Sequence, residues 1–288
     1  SLLLQGSTYE DDLRGVFARP GTNERKGRIL EVKEAYLTFE EDEYDISLGK
    51  SLTPVGLSEL FSPANRFGLV DAIHPMYLEE LGVWKATFNY YVEDDSMSYS
   101  LMPFHERPPR PDGRSRWLGS SGDSTFFGLP DDIDVDAQGV ALVEEKFRSS
   151  TDLESWGHLL QYNAVREGFD YFGLVHYGPS AYAVVKQENG VNEKLNPLAL
   201  TLAAGHAKTI DEWKLYAEAA YQNTLNSEDE DFVKHVLGVS YRETEFAEKL
   251  GLEEISPIIE YAGEIVTNPQ LADNFNVNSK QSRPGRHT

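Results

Sequence analysis

The sequence predicts an α/β fold, with strands in the middle of the chain, helices around them and a helical addition at the C-terminal end. Aromatic and β-branched residues form runs such as VWKATFNYYV (83–92) and DYFGLVHYG (170–178), and such runs favour strands. From about residue 197 the chain is expected to become helical. There a capping box, Thr209-Ile-Asp-Glu212, precedes WKLYAEAAYQNTL, a pattern typical of a helix.

The same patterns divide the chain into four regions. These are an N-terminal segment packed on the core (1–50, with a strand-like run at 28–40), the core itself (51–195), a helical region (196–275) and a disordered tail (276–288). Inside the core, we expect helices over 52–70 and 151–167, separated by a proline- and arginine-rich loop at 103–117. Further helices are expected at FVKHVLG, TEFAEKLG and PIIEYAGEIV.

Composition limits the chemistry that the chain can support. The absence of cysteine among 288 residues excludes disulfides, thiolate zinc sites and iron–sulfur clusters. Any metal is then held by oxygen ligands, with or without histidine, which favours Mg²⁺ or Mn²⁺. No apolar run approaches the roughly 18 residues of a membrane helix, and SLLLQGSTYEDD lacks the basic start of a signal peptide. These features predict a cytoplasmic protein with no membrane partner.

The net charge of −22 argues against broad nucleic-acid binding through surface electrostatics. It still allows a local basic groove, or a cation that bridges protein and phosphate. The densest basic run is formed by Arg107, Arg110, Arg114 and Arg116, next to Trp117.

One acidic stretch, GLPDDIDVDAQGVALVEEK (128–146), is predicted to form a β-hairpin. Because side chains alternate along a strand, Asp131, Glu144 and Lys146 lie at the far end of the face that carries its apolar residues. Two opposed carboxylates repel each other unless a cation lies between them. Asp131, Glu144 and the carbonyl of Glu145 could hold a divalent metal, with Lys146 acting on the attacking water of a phosphodiester hydrolysis. The alternative is a surface ion pair in an acidic hairpin.

These residues resemble the two core motifs of the PD-(D/E)XK nuclease superfamily. Pro130-Asp131 and Glu144-Glu145-Lys146 correspond to those motifs, and Gly128-Leu-Pro-Asp131 is similar to the form found in the RecB-like branch. LTPVGLSELFSPANRFGLV resembles the upstream helix of that branch, but Ser62-Pro63 replaces its Cys-Pro, so that the iron–sulfur cluster of some members cannot form.

Two further segments resemble the same branch. GLVDAIHPMYLEEL is similar to a motif whose histidine binds the metal, which makes His74 a candidate ligand. WGHLLQYNAVREG resembles the helix that follows the catalytic strand. On that helix His158, Gln161 and Tyr162 would share one face and bind substrate, together with Arg148.

The resemblance implies a restriction-endonuclease-like core, in which a central mixed β-sheet is flanked by helices. It also implies a Mg²⁺- or Mn²⁺-dependent deoxyribonuclease, specifically an exonuclease of DNA recombination, repair or phage-type processing, with DNA as partner. A restriction-type endonuclease on the same core is one alternative. Others are a non-catalytic module that binds a protein partner or a second copy of itself, and an acidic α/β protein in which the motif is accidental.

Overall fold

The computed structural model describes residues 2–4, 30–71, 79–106, 143–145, 152–181, 184–188, 191–225 and 229–268. Over these ranges the protein is almost entirely β-structure, with one α-helix, α1 (Glu245–Lys249), and one 3-10 turn (Leu153–Ser155). In the same ranges, no helix is long and apolar enough to cross a membrane.

Seventeen strands account for most of the described residues. In chain order they are β1 (Leu2–Leu4), β2 (Leu30–Val32), β3 (Ala35–Glu40), β4 (Tyr44–Ser51), β5 (Leu69–Asp71), β6 (Glu79–Leu81), β7 (Val83–Val92), β8 (Asp95–Met102), β9 (Val143–Glu145), β10 (Gly157–Arg166), β11 (Phe169–Pro179), β12 (Val184–Glu188), β13 (Val191–Leu195), β14 (Leu198–Ile210), β15 (Trp213–Thr224), β16 (Asp231–Tyr241) and β17 (Ile258–Asn268).

Ten of these strands form one antiparallel sheet, in the order β17-β16-β15-β14-β11-β10-β8-β7-β4-β3. Within this main sheet each strand pairs with the preceding and following main-sheet strands of the chain. The other strands form small sheets: β1 with β2, β5 with β6, and β12-β13-β9, in which β13 and β9 run parallel. The main sheet is therefore a meander built from hairpins.

The two faces of the main sheet differ in chemistry. One row of paired residues, Leu159, His176, Thr201 and Gln222, is at most 4 % exposed, and we call its side the inner face. The adjacent row, Leu160, Val175, Leu202 and Tyr221, lies on the outer face. The outer face exposes large apolar side chains from every strand of the main sheet: Leu37, Phe39, Tyr44, Ile46, Leu48, Phe88, Tyr90, Met97, Tyr99, Leu160, Tyr162, Tyr171, Val175, Leu202, Ile210, Trp213, Leu215, Leu237, Ile259, Tyr261 and Ile265.

The two ends of the sheet also differ. At one end, which we call the short-turn end, hairpins are closed by residues 41–43, 93–94, 167–168 and 211–212. Three of these turns contain non-glycine residues with positive φ, namely Glu93, Glu167 and Asp211. At the opposite, long-connection end, strands are joined by residues 52–82, 103–156, 180–197 and 225–230. Residues 242–257, which contain α1, return the chain from β16 to β17 at the short-turn end.

The predicted α/β fold is wrong. The described residues form an antiparallel sheet without flanking helices, whereas a restriction-endonuclease-like core needs a mixed sheet between helices. The strands predicted at 83–92 and 170–178 are confirmed as β7 and β11. The helices predicted over 52–70 and 151–167 are wrong, because the first range is largely irregular and the second contains β10.

The predicted helical C-terminal addition is also wrong, because β14 to β17 occupy most of it. Of the short helices expected there, the one at TEFAEKLG is confirmed as α1, whereas FVKHVLG and PIIEYAGEIV belong to β16 and β17. Alanine satisfies a helical period and a strand period equally well. In β15 the small residues Ala217 and Ala219 lie between Leu215 and Tyr221 on the outer face, while the alternate residues face inward. The capping box Thr209-Ile-Asp-Glu212 contains the turn between β14 and β15. Pairing on both sides therefore overrides local helix propensity.

Candidate functional site on the inner face

Residues 52–68, which we call the inner segment, leave β4 and fold back over the inner face of the main sheet. Pro54 and Pro63 cannot donate to a β-ladder, which keeps this segment irregular. Gly56 has φ +106°, and a Cβ atom at this position would lie 2.2 Å from Ser62 Oγ. This turn therefore requires glycine.

The first anchor of the inner segment is Glu218, a buried residue on the inner face of β15. One oxygen of its carboxylate accepts hydrogen bonds from the amides of Leu57 and Ser58 and from Ser58 Oγ, the last two at 2.6 and 3.0 Å. The other oxygen accepts from Ser62 Oγ at 2.6 Å. Hydrogen bonds to a charged acceptor contribute about 1.5–3 kcal/mol each, so this carboxylate is a strong tether.

The second anchor is Glu260 on β17, which binds the next part of the inner segment. Its carboxylate accepts from the amides of Glu59, Leu60 and Phe61 at 2.9–3.0 Å. Tyr216 on β15 donates its hydroxyl to the same carboxylate at 2.6 Å. Two carboxylates from different strands thus hold consecutive backbone amides of one segment.

The rest of the inner segment reaches strands in the middle of the main sheet. Arg66 donates to Thr201 Oγ1 on β14 at 2.6 Å, and its guanidinium carbon lies 5.9 Å from the centre of the Phe67 ring. The Phe67 ring in turn lies 4.6 Å from the ring of His176 on β11. The apolar core also lies here, where Val55, Ala64 and Leu69 pack with inner-face residues such as Leu159, Phe172, Leu174, Ala203 and Ala220.

A cavity of about 460 Å³ lies between the inner segment and the long-connection ends of β7, β8, β10 and β11. Its apolar wall includes Phe61, Phe67, Leu69, Val83 and Met102. Its polar wall includes Asn65, Arg66, His105, Glu106, His176 and Asn196. A concave apolar site with a few polar groups is the usual form of a small-molecule site.

Gly238 on β16 sets the position of Tyr216, which is its cross-strand partner. A Cβ atom at Gly238 would lie 2.2 Å from the Tyr216 ring, so Gly238→Ala should displace the ring that donates to Glu260. We expect a loss of about 1–3 kcal/mol in the free energy of unfolding, measured by denaturant titration. The matched change Gly173→Ala should be nearly neutral, because nothing lies within 4 Å of the added methyl group. Equal effects of the two changes would contradict this role for Gly238.

Three predicted substrate-binding residues lie on β10 and do not share a helical face. His158 and Tyr162 belong to the outer face, whereas Gln161 points inward. His158 Nδ1 is 2.7 Å from the Tyr99 hydroxyl, Tyr162 donates to Asp95 at 2.6 Å, and Gln161 donates to Asn163 at 2.9 Å. The predicted common helical face is wrong, since the strand period sends neighbouring residues to opposite sides.

The predicted metal site falls largely outside the described residues. This applies to Asp131, Lys146, Arg148 and His74, while Glu144 and Glu145 are described only as backbone in β9, paired with Glu193 and Lys194 of β13. Within the described ranges, no three acidic or histidine side chains are arranged to hold a metal ion. The roles of these residues, the need for Mg²⁺ or Mn²⁺ and the absence of an iron–sulfur cluster stay predictions, as do enzymatic activity and a protein partner or homo-oligomer.

Sequence reasoning missed the residues that shape the inner face. Glu218 and Glu260 lie in segments that were predicted as helices, WKLYAEAAYQNTL and PIIEYAGEIV. Each of them is spaced by two residues from other inward-facing positions of its strand. The inner segment was interpreted as two helical pieces. Its two prolines and Gly56 were the available signals for an irregular path.

Comparisons with known proteins find likeness only to solved structures, and at low similarity. No protein-family model and no curated protein matches the chain. One of these solved structures is an in-vitro folded, trimeric form of OmpT, an outer membrane protein of Vibrio cholerae, with 10 % sequence identity and a TM-score of 0.43. The match covers 83 % of this chain and 61 % of that one. A likeness at this level assigns no function to this chain.

The resemblance to the PD-(D/E)XK nucleases is wrong, and with it the function in DNA recombination or repair and the DNA partner. In the described ranges the fold is a wide antiparallel sheet without flanking helices. The expectations of a cytoplasmic location and of no membrane partner are wrong as well, because one face of that sheet exposes large apolar side chains from all ten strands. Both expectations rested on the lack of a long apolar run in the sequence. A strand that crosses a membrane needs no such run, because only its alternate residues face lipid and are apolar.

Proposed function

We propose that this chain is a membrane-embedded pore protein whose main sheet crosses the bilayer strand by strand. The outer face carries the proposal: all ten strands expose large apolar side chains on it. Burying one such side chain is worth about 1.5–3 kcal/mol, and soluble monomers rarely expose contiguous apolar patches beyond a few hundred Å². Lipid chains would remove this whole face from water.

Strand length fits a bilayer. β7, β10, β11 and β14 to β17 contain 10 to 13 residues each, and a tilted strand needs about 9–11 residues to cross the hydrocarbon core. Every main-sheet strand except β3 and β17 has a paired strand on both sides. Its backbone N–H and C=O groups are therefore hydrogen-bonded within the sheet, which is required in hydrocarbon.

Several charged and aromatic side chains of the outer face lie at the short-turn end. There Arg166 pairs with Asp95, and Lys208 Nζ lies 4.3 Å from the centre of the Phe169 ring. The rings of Trp213 and Tyr241 lie 4.7 Å apart near the same end. Such groups are stable where headgroups meet acyl chains. They mark this end of the sheet as one membrane interface.

The unequal ends of the sheet have the same explanation. Proteins that cross membranes with antiparallel strands have short turns on one side and long connections on the other. Here turns such as 93–94 and 211–212 oppose connections such as 52–82 and 103–156.

The inner face supplies a polar surface suited to a water-filled path. Thr87 and Ser100 hydroxyls lie 2.9 Å apart, and Asn89 donates to Asp45 at 2.7 Å. The inner segment covers part of this face and would narrow the path. We infer that the pore passes small polar solutes and that the inner segment sets its width.

The outermost strands, β3 and β17, each pair on one side within the described residues. An unpaired strand edge is costly in hydrocarbon. In the membrane each edge therefore needs a partner, and a barrel closed by β3 and β17, or by further strands, would supply it.

The test is quenching of tryptophan fluorescence by brominated lipids after refolding into vesicles. Trp213 is half exposed on the outer face beside the turn at 211–212. We expect quenching that is stronger with bromine near the headgroups than with bromine at the acyl-chain ends, because Trp213 lies near one interface.

The chain contains four tryptophans, so the contribution of Trp213 is the quenching that is lost in the Trp213→Phe variant, which should preserve the fold. A chain that remains monodisperse in buffer without detergent, and whose fluorescence brominated lipids do not change, would overturn the proposal.

A further inference from the structure

We propose that the cavity under the inner segment binds a small organic anion with a planar apolar body, such as an aromatic carboxylate. The inference deepens the proposed function, since it names a solute class for the same inner face. It depends on the cavity and on Arg66.

Arg66 is the arginine on the polar wall of the cavity, and its position is fixed. Its guanidinium group donates a hydrogen bond to Thr201 Oγ1 on β14 at 2.6 Å, and the Phe67 ring lies beside the same group. A guanidinium group presents several donors in one plane and matches a carboxylate with two parallel hydrogen bonds. A tethered arginine loses little side-chain freedom when the anion arrives.

The neighbouring rings fit a flat apolar body. Phe67 packs at 4.6 Å from His176, which is only 4 % exposed, and Phe61, Val83 and Met102 continue the apolar wall. An aromatic ring could stack beside Phe67 while its carboxylate reaches Arg66.

The charges around the cavity make the binding of an anion depend on Arg66. Glu106 is the acidic residue among the described lining residues, and the chain as a whole carries −22. The long-range field therefore repels anions, so binding of an anion depends on the local contact with Arg66. His105 and Asn196 offer further hydrogen-bonding groups on the same wall.

The experiment measures benzoate binding to the refolded full chain by isothermal titration calorimetry, with benzyl alcohol as a neutral probe of similar shape and benzylamine as a cationic one. We expect saturable benzoate binding that is at least about tenfold tighter than binding of either other probe, which corresponds to one charged hydrogen-bond pair. Arg66→Gln should reduce benzoate affinity at least about tenfold, and Arg66→Lys should restore part of it.

Arg242→Gln is the matched control, because it removes the same charge from a residue paired with Glu254 in the connection at 242–257, far from the cavity. Thr201→Val retains Arg66 but removes its tether, and should weaken benzoate binding by a smaller factor than Arg66→Gln. Folding of each variant is checked by circular dichroism.

Absence of saturable benzoate binding, equal binding of the three probes, or unchanged benzoate affinity in a folded Arg66→Gln variant would overturn the inference. These results are separable from failure of the proposed pore. Benzoate binding is measured in detergent, whereas lipid contact is measured independently by the quenching of Trp213.

Discussion

Replacing Leu202 with arginine is expected to reduce the stability of the protein in a bilayer by about 2–4 kcal/mol, the cost of a basic side chain at the midplane of a lipid-facing strand. Leu202 lies on the outer face near the middle of β14 and is 43 % exposed. The same replacement at Ile210, the last residue of β14, should cost only about 0–1 kcal/mol, because arginine there reaches the headgroups. Reversible denaturant titration in lipid vesicles measures both values.

The pair Leu202 and Ile210 forms its own control. Ile210 is 44 % exposed, nearly the same as Leu202, and lies on the same face of the same strand. In a protein surrounded by water, both replacements would change stability by no more than about 0.5 kcal/mol. Equal, small effects at the two positions would therefore contradict a lipid-facing outer face.

Releasing the inner segment is the second change with a large expected effect. The double variant Glu218→Gln with Glu260→Gln replaces two charged acceptors by neutral amides, and it leaves several donors of residues 57–62 without a charged partner. At about 1.5–3 kcal/mol for each charged hydrogen bond, we expect the inner segment to detach from the inner face. Single-channel conductance in planar bilayers should then rise, because the path is no longer narrowed.

Hydrogen exchange gives an independent measurement of the same release. The amides of Ser58, Glu59, Leu60 and Phe61 should exchange at least about tenfold faster in the double variant, while those of β14 and β15 remain protected. Glu264→Gln is the matched control, since Glu264 lies on the inner face of β17 as Glu260 does but pairs with Lys234 at 3.2 Å. If conductance rises equally in Glu264→Gln, the charge of the inner face controls conductance and the segment does not.

The types of residue in local segments predicted some of the strands correctly, but they did not predict how the strands pair into one sheet. VWKATFNYYV and DYFGLVHYG are β-branched and aromatic, and both were predicted correctly, because such residues pack well on a pleated surface. The alanine-rich β14 and β15 were predicted as helix, because alanine is compatible with both the periodicity of a helix and that of a strand. The resemblance to the nuclease motifs was misleading, because closely spaced acidic residues occur often by chance in a chain with 48 of them.

The candidate site was still harder to predict. Arg66 and Thr201 are 135 residues apart, and Leu57 and Glu218 are 161 apart, so no local pattern connects them. Their contact exists only because β15 and β14 lie side by side and the inner segment folds back over both.

The sequence by itself determined that β7 and β11 are strands, and its lack of cysteine excluded thiol chemistry. The irregular course of the segment with Pro54, Gly56 and Pro63 was not predicted from the sequence. Only the tertiary structure decided which alternate set faces outward. Exposed apolar residues such as Leu160, Val175 and Leu202 have the composition of a soluble core, and a linear pattern cannot tell lipid from protein interior. The difference lies in what covers the face, and that depends on the pairing of ten strands distant in sequence.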